Sequence, residues 1–158
     1  MKTCIKTAKK NHMCVRVIGD KTGLAPDIQE SIANLERESA DQDGLNFTIA
    51  INYGSRDEIR RAVQKIVEAG VPAEKITEDV ISDYLDTAGI PDPDLLIRTS
   101  GELRLSNYLM WQLAYTEFYF TDVPWPDFDK QELMKAVEKY NQRDRRYGGV
   151  KDEPKEDA

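Results

Sequence analysis

The sequence predicts an α/β fold with a mainly parallel sheet flanked by helices, on three observations. Four short segments rich in β-branched and aromatic residues read as buried strands: Val15–Ile18, Phe47–Ile51, Leu95–Arg98 and Phe118–Thr121. Longer stretches of helical period separate them. Strands alternating with helices require crossover connections, which place strands in parallel. The chain has 158 residues, 40% of them hydrophobic, which suits one ordinary domain core.

The elements follow in order. Met1–Asn11 is polar and lysine-rich and precedes the first strand. Asp27–Ala40 sets Ile28, Ile32 and Leu35 on one helical face, with Pro26 suited to a first turn. Ser55-Arg56-Asp57-Glu58 has the form of a capping box. It opens a helix whose stripe is Ile59, Ala62, Val63, Ile66 and Val67, closed by Gly70. Thr77 caps a further helix carrying Val80, Ile81, Tyr84, Leu85 and Ala88, ended by Gly89. After the third strand a helix is expected through Tyr108–Leu113. Asp129-Lys130-Gln131-Glu132 repeats the capping pattern and opens a last helix through Leu133, Met134, Val137 and Tyr140, stopping near Gly148-Gly149. The tail Lys151–Ala158 is charged and reads as disordered.

Composition narrows the function. Lysine plus arginine total 22 against 29 aspartate plus glutamate, a formal charge of −7. Sequence-independent nucleic-acid binding needs the opposite balance. A local basic cluster could still hold an anion, because net charge averages such clusters away. No run of 18 apolar residues is present to span a membrane, and the start lacks an apolar signal-peptide core. Cys4 and Cys14 match no zinc or redox spacing; with His12 they could form a loose metal site, but ordinary reduced thiols and a cytoplasmic location are the reading adopted.

In parallel sheets, ligands bind beyond the carboxyl ends of strands. The strand Leu95–Arg98 runs there into Thr99-Ser100-Gly101-Glu102-Leu103-Arg104-Leu105-Ser106. Gly101 permits a tight reversal that brings Arg98 and Arg104 round one point. Two guanidiniums offer forked donors matched to phosphate oxygens. Ser106 adds a hydroxyl at the expected helix start, where an anion is favoured. Alternatively, this is a surface loop whose arginines pair with Asp94 and Glu102. Further on, Glu117 stands alone among aromatic and apolar residues. Either a magnesium ion bridges it to a substrate phosphate, or it sits at a strand start and pairs with an arginine.

The run Asp94–Phe128, DLLIRTSGELRLSNYLMWQLAYTEFYFTDVPWPDF, closely resembles the C-terminal signature of undecaprenyl diphosphate synthases and related cis-prenyltransferases. The likeness extends to Val15–Asp20, Gly44–Glu58 and Asp144–Gly149. It implies an isoprenyl transferase that condenses isopentenyl diphosphate with an allylic diphosphate into a cis-polyprenyl diphosphate lipid carrier. It also implies that Arg98, Arg104, Leu105 and Ser106 bind the isopentenyl diphosphate head group, that Glu117 is a magnesium ligand, and that the chain works as a homodimer. Membrane contact is expected only through the lipid product. Arg146-Tyr147-Gly148 matches an element that reaches a partner subunit's site; Asn52, Gly54 and Arg56 match one near the dimer interface. Leu45, Phe47, Ile49 and Ile51 are candidates for the wall of a hydrocarbon tunnel, or for plain core.

The expected departure is at the start. Residues 1–150 read as the C-terminal two-thirds of such a domain, with the family's first strands missing and its catalytic aspartate absent. Asp20 does not substitute for it. A shortened synthase, inactive and poorly soluble alone, is the expectation. The alternative is a catalytically incomplete partner subunit that binds diphosphate or supports dimerisation.

Overall fold

A computed structural model describes residues 2–143 as two compact units. Among the described residues, the first holds 2–92 together with Leu105–Ala114, and the second holds Pro93–Arg104 and 115–143. The expected disordered tail Lys151–Ala158 and the Asp144–Gly149 element lie outside the described residues.

The first unit contains α1 (Lys2–Lys10), β1 (Cys14–Ile18), α2 (Pro26–Ser39), β2 (Asn46–Ala50), α3 (Ser55–Glu68) and α4 (Glu78–Tyr84). β1 and β2 pair in parallel, from Cys14 opposite Asn46 to Ile18 opposite Ala50. Alternation puts Val15 of β1 and Ile49 of β2 on an apolar face, where Ala8 of α1 and Leu35 of α2 close the core with Ile5 and Met13. The second unit contains β3 (Leu95–Arg98), β4 (Glu117–Phe120) and α5 (Lys130–Asn141). β3 and β4 are also parallel, with Leu95 opposite Glu117 and Arg98 opposite Phe120. The fold class is therefore α/β with parallel strands flanked by helices. Among the described residues the strands form two separate two-stranded ladders.

The outer side of β1 is finished by side chains. Its alternate donors face away from β2, and each finds an oxygen: Val15 N–H donates to Ser39 Oγ (3.1 Å), Val17 N–H to Glu36 Oε1 (2.7 Å) and Gly19 N–H to Asp86 Oδ2 (3.0 Å). Ser39, fully buried, in turn donates to Leu35 O (2.8 Å). Unpaired donors at a strand edge are costly when buried, and these are all answered.

Several helical expectations change. Thr77 and Asp129 cap as read, accepting from Val80 N–H and from Gln131 and Glu132 N–H respectively. Ser55 does not: Gly54 holds the cap position of α3, and Ser55 Oγ accepts from Met110 N–H (3.0 Å). The buried face of α3 is Ser55, Glu58, Ala62 and Ile66, while Val63 and Val67 are exposed. α4 stops at Tyr84 rather than Gly89, because Leu85 turns extended and Asp86 is drawn into a polar network. α5 ends at Asn141, short of the expected Gly148-Gly149.

Candidate functional site

The reversal expected after β3 is present. Ser100 and Gly101 take positive φ (66° and 69°), and their N–H groups donate to Val123 O and Thr121 O. A Cβ on Gly101 would lie 3.0 Å from Asp122 Oδ1, so glycine suits both the conformation and the space. Arg98 ends β3 half-buried, and its guanidinium has no hydrogen bond or ion pair among the described residues. A cation partly withdrawn from water without a counter-charge favours an anion. Arg104, exposed, pairs with Glu102, as the surface-loop alternative anticipated. The other half of that alternative fails, since Asp94 accepts from Tyr140 instead of Arg98.

Leu105 and Ser106 open the segment that belongs to the first unit. No helix runs through Tyr108–Leu113; the segment is a series of turns. Ser106, Asn107 and Leu109 have φ of 52°, 62° and 44°, which a right-handed helix cannot contain. Ser106 therefore stands at no helix N-terminus that would favour an anion.

That segment is fastened to the start of α3. Asn107 O accepts from Ser55 N–H (2.8 Å), and Asn107 Oδ1 accepts from Arg56 N–H (2.9 Å). Tyr108 meets Tyr53 edge to face at 5.7 Å. Gln112 Nε2 donates to Glu58 Oε2 (3.2 Å) and to Thr87 Oγ1 (2.9 Å). Glu58, 1% exposed, also accepts from Tyr53 Oη and from Asp86 N–H. Burial and the bond to Glu58 push the Tyr53 hydroxyl pKa well above its ordinary value. Asp86 binds Arg61 through both oxygens at 2.7 Å. Burial pushes its carboxyl up, but Arg61, Gly19 N–H and Lys65 outweigh that and hold it below the usual range. The sequence reading missed this network. Its one signal was Glu58 falling four before Ala62 and eight before Ile66, on the buried stripe.

Glu117 begins β4 and pairs with Arg143, which also donates to Phe118 O (2.9 Å). It lies opposite Leu95, three residues from Arg98, or about 10 Å along the strand. Magnesium takes oxygen ligands, often one or two carboxylates completed by phosphate and water. The strand-start position and the arginine pairing are those the second reading of Glu117 anticipated, and Glu117 fits one magnesium position only by giving up Arg143. No group of three His, Cys, Asp or Glu side chains is gathered among the described residues, so the remaining ligands would come from substrate and solvent or from another polypeptide segment.

Of the tunnel candidates, Phe47 and Ile49 line an apolar cavity of about 260 Å³, roofed by Cys4, Thr7 and Ala8 of α1. Leu45 is exposed, and neither it nor Ile51 reaches the lining. Asn52 donates to Asp20 O, while Asp20 caps Thr22. No helix among the described residues is long and apolar enough to cross a membrane.

The family model described as "Putative undecaprenyl diphosphate synthase" matches residues 1–148. An isoprenyl transferase of Fusobacterium nucleatum is 51% identical over 92% of this chain and 62% of its own length. One of Agrobacterium fabrum is 50% identical over 89% and 59%. The chain thus spans about three fifths of these relatives. A crystal structure of a probable undecaprenyl diphosphate synthase from Campylobacter jejuni aligns with TM-score 0.84 at 32% identity, covering 93% of this chain and 68% of the other. Lavandulyl diphosphate synthase from Lavandula x intermedia, solved with dimethylallyl diphosphate, aligns with TM-score 0.84 at 37% identity over 90% and 63%. With the parallel strands and the β3 turn already described, these matches establish that the chain belongs to the undecaprenyl diphosphate synthase family of isoprenyl transferases.

Proposed function

We propose that this chain carries the isopentenyl diphosphate half of a cis-prenyltransferase site. The partner substrate is an allylic diphosphate and the product a cis-polyprenyl diphosphate lipid carrier. Arg98, Arg104 and Ser106 hold the diphosphate, with Leu105 setting the chain between them. The observation that carries the reading is Arg98: a half-buried guanidinium at the carboxyl end of a parallel strand, with no partner among the described residues. Arg104 would exchange Glu102 for phosphate, a small loss for an exposed pair.

In this reading the arginines fix the diphosphate so that the homoallylic double bond faces the electrophilic carbon. The cavity behind Phe47 and Ile49 takes hydrocarbon and excludes water. Glu117 supplies one carboxylate to magnesium, which when bound stabilises negative charge on a diphosphate. A homodimer and a cytoplasmic location, with membrane contact only through the lipid product, complete the proposal.

Titration calorimetry with isopentenyl diphosphate tests it. The wild-type chain binds, and Arg98→Ala weakens binding by about 1.5–3 kcal/mol, the worth of a charge-assisted hydrogen bond. No binding by the wild type, or equal binding by the variant, sinks the proposal.

A further inference from the structure

We infer that Asn107 is a positioning residue that sets the diphosphate-binding conformation of Ser106; this rests on the proposed function above. Ser106 is held at φ 52°, a left-handed conformation unfavourable for a residue with a Cβ. Something outside the residue must hold it there, and Asn107 is the next residue along. Both of its oxygens are committed to the first turn of α3, through Ser55 N–H and Arg56 N–H. Those donors are among the N–H groups a helix start leaves unsatisfied. Asn107 thus caps a helix distant in sequence, and Gly54 contributes no capping side chain of its own.

The fit is close. A Cβ added at Gly54 would stand 2.7 Å from Asn107 Nδ2, inside any tolerable contact. Gly54 has ordinary extended backbone, φ −151°, so its small size serves the approach of Asn107 and not its own conformation. The clamp is doubled one turn further on, where Met110 N–H donates to Ser55 Oγ. The pairing of Asn107 with the Gly54–Arg56 segment gives Gly54, and the backbone N–H of Arg56, a role inside one chain, beside the dimer-interface element that the family resemblance implies. Within the first unit, their role is to hold the Ser106 end of the signature loop.

The test is a double-mutant cycle read by calorimetric binding of isopentenyl diphosphate to the whole chain. Asn107→Ala should weaken binding about five- to tenfold, the worth of one lost hydrogen bond. Asn107→Asp keeps the acceptor and tolerates the left-handed conformation, so it should restore binding to within about twofold of wild type. Gly54→Ala should weaken binding like Asn107→Ala, yet add nothing in the Asn107→Ala background, where the obstructed amide is gone. A general loss of folding would affect Asn107→Asp too, and would make the Gly54 effect additive. Wild-type binding that is unchanged in Asn107→Ala overturns this inference and leaves the proposed function standing. Absence of binding by the wild type overturns both.

Discussion

The start of α3 and the end of β3 are both rich in charge and hydrogen-bonding groups, and they are built on opposite terms. Around Glu58 the polar side-chain atoms have answers inside the protein, with the buried Gln112 Oε1 as the exception: Tyr53, Asp86 and Gln112 Nε2 all donate to Glu58, and Asp86 is gripped by Arg61. At β3 the Arg98 guanidinium has no answer among the described residues, and Arg104 has only an exposed carboxylate. A satisfied buried network specifies one conformation. A cation left partly desolvated and unpaired is poised for something that arrives later. The contrast separates groups that hold the fold from groups available to a ligand, although both look alike as charged letters in a sequence.

Three substitutions break or sharpen that contrast. Glu58→Leu should have the largest effect, because it removes a buried carboxylate that accepts from Tyr53 Oη, Asp86 N–H and Gln112 Nε2, of which only Gln112 keeps a second acceptor among the described residues, Thr87; a loss of about 3–5 kcal/mol is expected in urea unfolding. If the midpoint barely moves, the network is not structural. The second works through pH. Asp86 has a folded pKa below the unfolded carboxyl value of about 3.9, so its contribution is full above that value and is lost as pH falls through the lower folded pKa. Asp86→Asn should lower stability at neutral pH and flatten the acid limb of a stability–pH curve. An unchanged acid limb argues against the Arg61 pairing. The smallest effect is expected at Arg98→Met: a stability change within about 0.5 kcal/mol, or a slight gain, since no native partner is lost. A large loss would show that Arg98 is a structural group after all.

Much of the fold was legible from local pattern. All four strands fall within one residue of their expected bounds at either end, because short β-branched and aromatic runs leave little choice. Thr77 and Asp129 cap as expected, since a cap needs only its own next turn. The errors arose where distant residues decide. Ser55 looked like a cap, but its hydroxyl receives Met110, 55 positions away. Tyr108–Leu113 looked helical, but its backbone is committed to α3 through left-handed residues no periodicity reveals. Gly101 was read correctly as a reversal because glycine announces a positive φ; Asn107 was not, because asparagine does so only weakly. The two arginines were visible as a pair of cations. That one has a carboxylate and the other none depends on folded geometry.

The oxygens lined along β1 give the first ladder a direction of growth. With Ser39, Glu36 and Asp86 already seated on its outward N–H groups, a foreign peptide approaching that margin would meet a hydroxyl and two carboxylates in place of free donors. The donor half of an edge-to-edge ladder is therefore already taken at β1. β2 has β1 as its only neighbour among the described residues, so any lengthening of this ladder, whether productive or aggregating, would proceed from that flank.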